Sequence, residues 1–172
     1  MSHHLPDHLD PWRFTDLGKH ISGVYPLANM PRLRECLEDT QGEARFSLEF
    51  FRDQQLRACV RGQVEATLIL PCQRCLKAIW WPVQSNVSLA FVEGIDEAEM
   101  LPDTLDPVLV ENGLVRLRDL IEDELLLALP QVAMHPAGAC ATQVSAKQTS
   151  GEDNAESKSP FAVLAELKRS DK

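Results

Sequence analysis

Residues 56–70 read LRACVRGQVEATLIL, and they hold the clearest alternation of apolar and polar side chains in the chain. The apolar set comprises Leu56, Ala58, Val60, Val64, Ala66, Leu68 and Leu70. Side chains of a β-strand point alternately to its two faces, so this period of two predicts a half-buried antiparallel strand over residues 55–70. Gly62 lies where such a long strand is expected to bend.

Two further alternating segments flank this strand, over residues 44–51 and 80–92. Together the three predict a meander with one face in water. Downstream, PVLVE (107–111) predicts a short strand, and the apolar residues after it recur at helical spacing. They predict a helix over residues 115–129 that ends before Pro130 and keeps Glu122 and Asp123 on its outer side. The expected fold class is α+β: an antiparallel β-meander or partly closed sheet with a Cys-x-x-Cys hairpin tip, packed by a few helices.

The predicted organisation has four parts. Residues 1–43 form an irregular or helical segment that includes a short helix over 30–39, and residues 44–140 form the β-rich core. Residues 141–159 lack apolar periodicity and predict a disordered linker. Residues 160–170 predict a helix with Phe161, Leu164 and Leu167 on one stripe. That helix is too short to be stable alone, so it is expected to dock on its own domain or on a partner.

Composition narrows the class of protein. No apolar run among the 172 residues approaches the length of a membrane span, and the N-terminus lacks the apolar core of a signal peptide. A cytoplasmic protein without membrane contact is therefore expected, and its cysteines are expected to be reduced. The net charge of −9 argues against general nucleic-acid binding. The charge is unevenly distributed, because acidic residues concentrate within residues 93–124.

Cys72 and Cys75 lie between the second and third predicted strands. Two thiolates separated by two residues on a tight turn can occupy two corners of a tetrahedral zinc site. His135 and Cys140 follow the predicted helix, and their spacing suits the other two corners. The alternative is a reduced dithiol turn that binds nothing. Cys36 and Cys59 are expected to be structural.

Thiol-redox chemistry is the weaker interpretation of the same cysteines. A redox Cys-x-x-Cys usually begins a helix, whose N-terminus lowers the thiol pKa, whereas here the pair lies between strands. The chain also lacks a phosphate-binding glycine loop, G-x-S-x-G and H-E-x-x-H. We therefore expect a protein that is not an enzyme and has no small-molecule substrate.

A basic surface is expected beside the Cys-x-x-Cys segment. Arg57 and Arg61 share the polar parity of their strand and are predicted to face outward together. The remaining candidates for RNA or partner contact are Arg74, Lys77, Trp80 and Trp81. Adjacent strand residues point to opposite faces, so one tryptophan is expected outside and the other in the core. The plain alternative is an ordinary solvated surface.

Four blocks in a fixed order carry a resemblance: LPCQRCL (70–76), LPDTLDPVLVENG (101–113), DLIEDELLLALPQVAMH (119–135) and SPFAVLAELKR (159–169). Together they resemble the bacterial YceD family, the large ribosomal RNA subunit accumulation proteins. The positions that match the family's marked residues are Cys72, Arg74, Cys75, Glu122, Asp123, Pro130 and Phe161.

The resemblance implies a non-enzymatic role in the synthesis, processing or stability of 23S rRNA, and hence in large-subunit assembly. It implies rRNA or ribosomal and assembly proteins as partners. Many relatives carry a second cysteine pair after the ALP block, consistent with zinc, where this chain has His135 and Cys140. An acidic protein-binding adaptor without RNA contact is the alternative.

Overall fold

The computed structural model of the chain describes residues 5–140. The strands in chain order are β1 (His8–Leu9), β2 (His20–Pro26), β3 (Glu43–Arg52), β4 (Ala58–Pro71), β5 (Ala78–Val92), β6 (Asp106–Leu109) and β7 (Val115–Arg116). The helices are α1 (Pro11–Asp16), α2 (Pro31–Arg34), α3 (Ile95–Glu99) and α4 (Leu117–Leu127), with one 3₁₀ turn at Leu27–Asn29.

The main sheet has five strands in the order β2-β3-β4-β5-β6, and a second ladder joins β1 to β7. Neighbouring strands of the main sheet are antiparallel except β5 and β6, which run parallel. The α+β class with a mostly antiparallel sheet and few helices is therefore confirmed. The sheet is open, with β2 and β6 at its edges, so the expectation of a partly closed sheet is wrong.

Alternating side chains build the core face of the central strands. Phe46, Leu48 and Phe50 of β3 are buried, as are the apolar residues of the same parity in β4 and, apart from the partly buried Trp81, in β5. Gly62 of β4 pairs with Leu48, and a Cβ atom at this position would overlap the Ser47 carbonyl group. Only glycine allows β3 and β4 to approach this closely.

Helix α4 contributes its predicted apolar side to the core. Its buried apolar residues are Leu117, Leu120, Ile121 and Leu125. The expectation that Glu122 lies on the outer side is wrong, because this residue is 1% exposed. Its carboxylate accepts the backbone N–H groups of Arg32 and Leu33 at the start of α2, at 2.7 and 2.9 Å.

The N-terminal third is more regular than expected. Residues 20–26 form strand β2, which pairs with β3 along its whole length. The helix expected over residues 30–39 is limited to α2. Beyond it, Glu38 donates its backbone N–H to the Ile69 carbonyl at 2.8 Å, and Asp39 forms a β-bridge with Ile69. Pairing with β4 thus replaces the last helical turns.

Two predictions cannot be compared with the fold. The linker 141–159 and the docking helix 160–170, with Phe161, Leu164 and Leu167, lie outside the described residues. Among residues 5–140, no helix has the length and apolar character needed to cross a membrane.

Candidate metal centre

Residues 72–77 connect β4 to β5, whose last pair is Pro71 with Ala78. Backbone hydrogen bonds close this loop: Cys72 donates to the Lys77 carbonyl at 2.9 Å, and Leu76 donates to the Cys72 carbonyl at 2.8 Å. Leu76 takes a left-handed conformation with φ of 58°. That conformation costs a non-glycine residue about 1–2 kcal/mol, so the tight loop holds its leucine under strain.

A second segment, residues 130–140, reaches the same place from the end of α4. The backbone N–H of Gln73 donates to the Ala133 carbonyl at 2.9 Å, and Ala133 is itself part of the buried core. The N–H of His135 donates to Cys72 Sγ at 3.5 Å. These bonds tie the second segment to the Cys-x-x-Cys loop.

The two segments bring four side chains together. The ligand atoms of Cys72, Cys75, His135 and Cys140 all lie within 4.8 Å of one another. Cys72 Sγ is 3.7 Å from Cys140 Sγ, and His135 Nδ1 is 3.5 Å from Cys75 Sγ and 3.8 Å from Cys140 Sγ. In a regular tetrahedron with zinc–ligand bonds of about 2.3 Å to sulfur and about 2.0 Å to nitrogen, S–S and S–N separations are about 3.8 and 3.5 Å. These three distances fit this geometry.

The environment of Cys72 favours its thiolate. Burial raises the pKa of this thiol, but backbone N–H groups of His135, Cys75 and Arg74 outweigh that effect and lower the pKa to about 5. Burial and the neighbouring sulfur atoms of Cys72 and Cys75 raise the pKa of the Cys140 thiol. A divalent cation between the sulfur atoms would relieve this repulsion, because thiolates bind zinc.

The other two cysteines take no part in this cluster. Cys36 is exposed beyond α2, and Cys59 is buried within β4. Burial raises the pKa of the Cys59 thiol, as expected for an inert structural cysteine.

The two strand-associated arginines are paired with nearby carboxylates. Arg57 precedes β4 and forms an ion pair with Asp53 at 2.6 Å, in the turn between β3 and β4. Arg61 lies on β4, pairs with Glu49 of β3 at 2.8 Å and stacks over the Phe51 ring. These ion pairs leave little free positive charge at Arg57 and Arg61.

Arg74 and Lys77 are exposed in the loop of the candidate centre, and neither forms an ion pair with any residue in the range 5–140. Trp80 is 66% exposed, whereas Trp81 is partly buried against the core. Arg74 and Lys77, beside the four-residue cluster, are thus among the lysine and arginine side chains of the described range that form no ion pair; Arg13, Lys19, Arg34 and Arg45 are the others.

Leu76 and Met134 border the cluster but were not identified from the sequence. Met134 Sδ lies 3.7 Å from an Arg74 guanidinium nitrogen. Glycine is the usual residue at left-handed positions of tight turns, whereas Leu76 occupies such a position with φ of 58°. A leucine within the tight Cys-x-x-Cys turn was therefore the one sequence feature that could have singled out Leu76. The sequence holds no comparable feature for Met134.

Fold and site define a small α+β protein with a candidate three-cysteine, one-histidine metal centre. The sequence model of the family named large ribosomal RNA subunit accumulation protein YceD matches residues 60–168, and the chain belongs to this family. A protein of Haemophilus influenzae, named Large ribosomal RNA subunit accumulation protein YceD, is 34% identical over 170 residues. The alignment covers 96% of this chain and 97% of that protein. No solved structure matches the chain significantly.

Proposed function

We propose that this protein supports accumulation of the RNA of the large ribosomal subunit, as a non-enzymatic factor in 23S rRNA synthesis, processing or stability. The observation that carries the proposal is the similarity to the Haemophilus influenzae protein across nearly the whole of both chains. The name of that protein describes accumulation of rRNA rather than a reaction. On this proposal the protein acts in the cytoplasm by binding rRNA, ribosomal proteins or assembly proteins.

The structural part of the proposal is a zinc ion held by Cys72, Cys75, His135 and Cys140. The sulfur and nitrogen separations support it, as does the hydrogen bond that Cys72 Sγ accepts from the His135 N–H. Zinc would join the loop after β4 to the segment after α4, two parts of the chain that are otherwise linked by few hydrogen bonds. With four protein ligands, the site leaves no position for substrate, which is typical of a structural centre.

The acidic adaptor is the second candidate, and one observation favours it. Residues 93–111 contain no lysine or arginine, and none of their carboxylates forms an ion pair with another residue of the described range. The acidic set comprises Glu93, Asp96, Glu97, Glu99, Asp103, Asp106 and Glu111. Such a surface repels phosphate and attracts basic protein segments.

Deletion of the gene tests the functional proposal. The expected result is a lower ratio of 23S to 16S rRNA, restored by a plasmid copy of the wild-type gene. An unchanged ratio with normal subunit profiles overturns the proposal. If the protein still pulls down ribosomal or assembly proteins from cell extract after nuclease treatment, protein contact is favoured over RNA contact.

Metal analysis of protein purified without a histidine tag tests the zinc proposal. We expect one zinc ion per chain in the wild type and in Cys36→Ser, and loss of zinc in Cys72→Ser and Cys140→Ser. Cys36→Ser is the matched control because its exposed thiol is not one of the four clustered ligands. Metal-free wild-type protein that forms a Cys72–Cys75 disulfide reversibly with glutathione would instead support a thiol-redox role.

A further inference from the structure

Five exposed apolar or basic side chains lie in or next to the segments that carry the candidate metal ligands: Arg74, Leu76, Lys77, Trp80 and Met134. We call this set the loop surface. We propose that the loop surface docks a partner protein that offers Leu76 an apolar pocket bordered by carboxylates. The inference rests on the proposed function, since the partner is expected to act in the accumulation of large-subunit rRNA.

Leu76 is the centre of the loop surface. Its side chain is 76% exposed, and its backbone has a φ of 58°, where glycine would be unstrained. The fold described by residues 5–140 thus gains little from a leucine at this position. Backbone strain clusters at binding and active sites, so a strained residue with an exposed apolar side chain is a candidate contact for a partner.

The charges beside Leu76 indicate what borders its pocket. Arg74 and Lys77 are exposed and form no ion pair with the described part of the chain. In contrast, the two arginines that flank the turn between β3 and β4 are paired: Arg52 with Asp16, and Arg57 with Asp53. Unpaired cations on either side of an apolar anchor are complementary to carboxylates on the partner.

The composition of the loop surface favours a protein over RNA. Protein interfaces are enriched in tryptophan, methionine and arginine. Single-stranded RNA would need rings for base stacking, and of these five side chains only Trp80 supplies one. Leu76 and Met134 have no π-face for a base, and Arg74 already contacts the Met134 sulfur.

The chain offers a matched control for Leu76. Leu56 also has a left-handed conformation, with φ of 62°, and is 75% exposed. It lies in the turn between β3 and β4, where the neighbouring Arg52 and Arg57 are already paired. Leu56 therefore shares the strain and the exposure of Leu76 but not the free positive charge.

Leu76→Gly and Leu56→Gly separate docking from folding. Both variants should unfold within a few degrees of the wild type and keep their metal content, because each relieves a strained backbone. In the deletion strain we expect Leu76→Gly to leave at least half of the 23S rRNA deficit uncorrected, and Leu56→Gly to correct it fully. Full correction by Leu76→Gly, or equal failure of both stable variants, overturns the inference.

Photo-crosslinking identifies the class of partner directly. Benzoylphenylalanine at position 76 should crosslink in cells to one defined protein, and the same residue at position 56 should not. The crosslinked protein, once purified, should bind the wild type at least tenfold more tightly than the Arg74→Glu/Lys77→Glu variant. Nuclease-sensitive crosslinks to RNA, or equal binding of both forms, contradict a protein partner.

The two proposals can fail separately. If deletion leaves the 23S to 16S ratio unchanged, the proposed function fails. Docking of a partner protein on the loop surface is then tested by crosslinking alone. If deletion lowers the ratio but Leu76→Gly restores it, only the docking inference fails.

Discussion

Glu122 and Asp123 are adjacent acidic residues on α4, yet their loss should affect stability very differently. The buried Glu122 carboxylate accepts the N–H groups of Arg32 and Leu33, at 2.7 and 2.9 Å. Each charge-assisted hydrogen bond contributes about 1.5–3 kcal/mol. The ion pair with the half-exposed Arg32 guanidinium adds at most about 1 kcal/mol because solvent screens it.

Glu122→Ala should therefore reduce the free energy of unfolding by about 3–5 kcal/mol, as expected when one partner of a buried charged group is removed. Asp123 is 52% exposed and, within residues 5–140, pairs only with the same guanidinium, at 2.6 Å. Asp123→Ala should cost less than about 1 kcal/mol. The comparison removes a carboxylate from α4 in both cases, so it isolates the effect of burial.

Urea unfolding followed by circular dichroism measures both values, and thermal unfolding gives an independent check. For a domain of this size, 1 kcal/mol shifts the melting temperature by about 2–4 °C, so Glu122→Ala should melt roughly 10 °C below the wild type. Glu122→Gln, which keeps one acceptor oxygen, should fall between the two. Equal losses for Glu122→Ala and Asp123→Ala would refute the assignment of Glu122 to the start of α2.

Three other predictions concern stability. Gly62→Ala should destabilise the fold by about 3 kcal/mol, since overpacking forces backbone shifts between β3 and β4. If urea unfolding gives the variant the same free energy of unfolding as the wild type, the close approach of β3 and β4 is contradicted. Burial raises the pKa of Glu124, despite the opposing hydrogen bond from Ser85 Oγ, so the wild type loses stability as pH rises through that pKa. Glu124→Gln should then have a higher melting temperature than the wild type at pH 7 and the same melting temperature at about pH 4. A difference in melting temperature that stays the same at both pH values would contradict this prediction. Trp81→Ala should cost about 2–4 kcal/mol and Trp80→Ala less than about 0.5 kcal/mol, because only Trp81 packs against the core; similar losses in urea would argue against this placement.

Alternation made the central strands predictable. In β3, β4 and β5 the apolar residues recur at a period of two over long segments, and the structure places strands at Glu43–Arg52, Ala58–Pro71 and Ala78–Val92. Strand β2 gave a weaker signal, since Gly23 interrupts its inward-facing set and Pro26 ends it. Its pairing with β3 depends on contacts between distant segments, which local periodicity does not reveal.

The candidate centre was partly predictable, because one half of it is a local motif and the other half comes from a distant segment. Cys72 and Cys75 form a local motif, and the distances now place His135 and Cys140 beside them. The pairing of Arg61 with Glu49 depends on the register between β3 and β4, which places these residues directly opposite each other. The burial of Glu122 depends on how α2 docks on α4, so the helical pattern alone placed it on the wrong side.

The separation of the four ligand residues along the chain has a consequence during synthesis. Cys75 and His135 are 60 positions apart, which corresponds to roughly 3–12 seconds of translation. During that interval β5, β6 and α4 are made, while Cys72 and Cys75 have neither His135 nor Cys140 beside them. All four residues are available only once residue 140 has been made, after α4 is complete. The four residues of the cluster can therefore come together only at the end of the synthesis of the described domain.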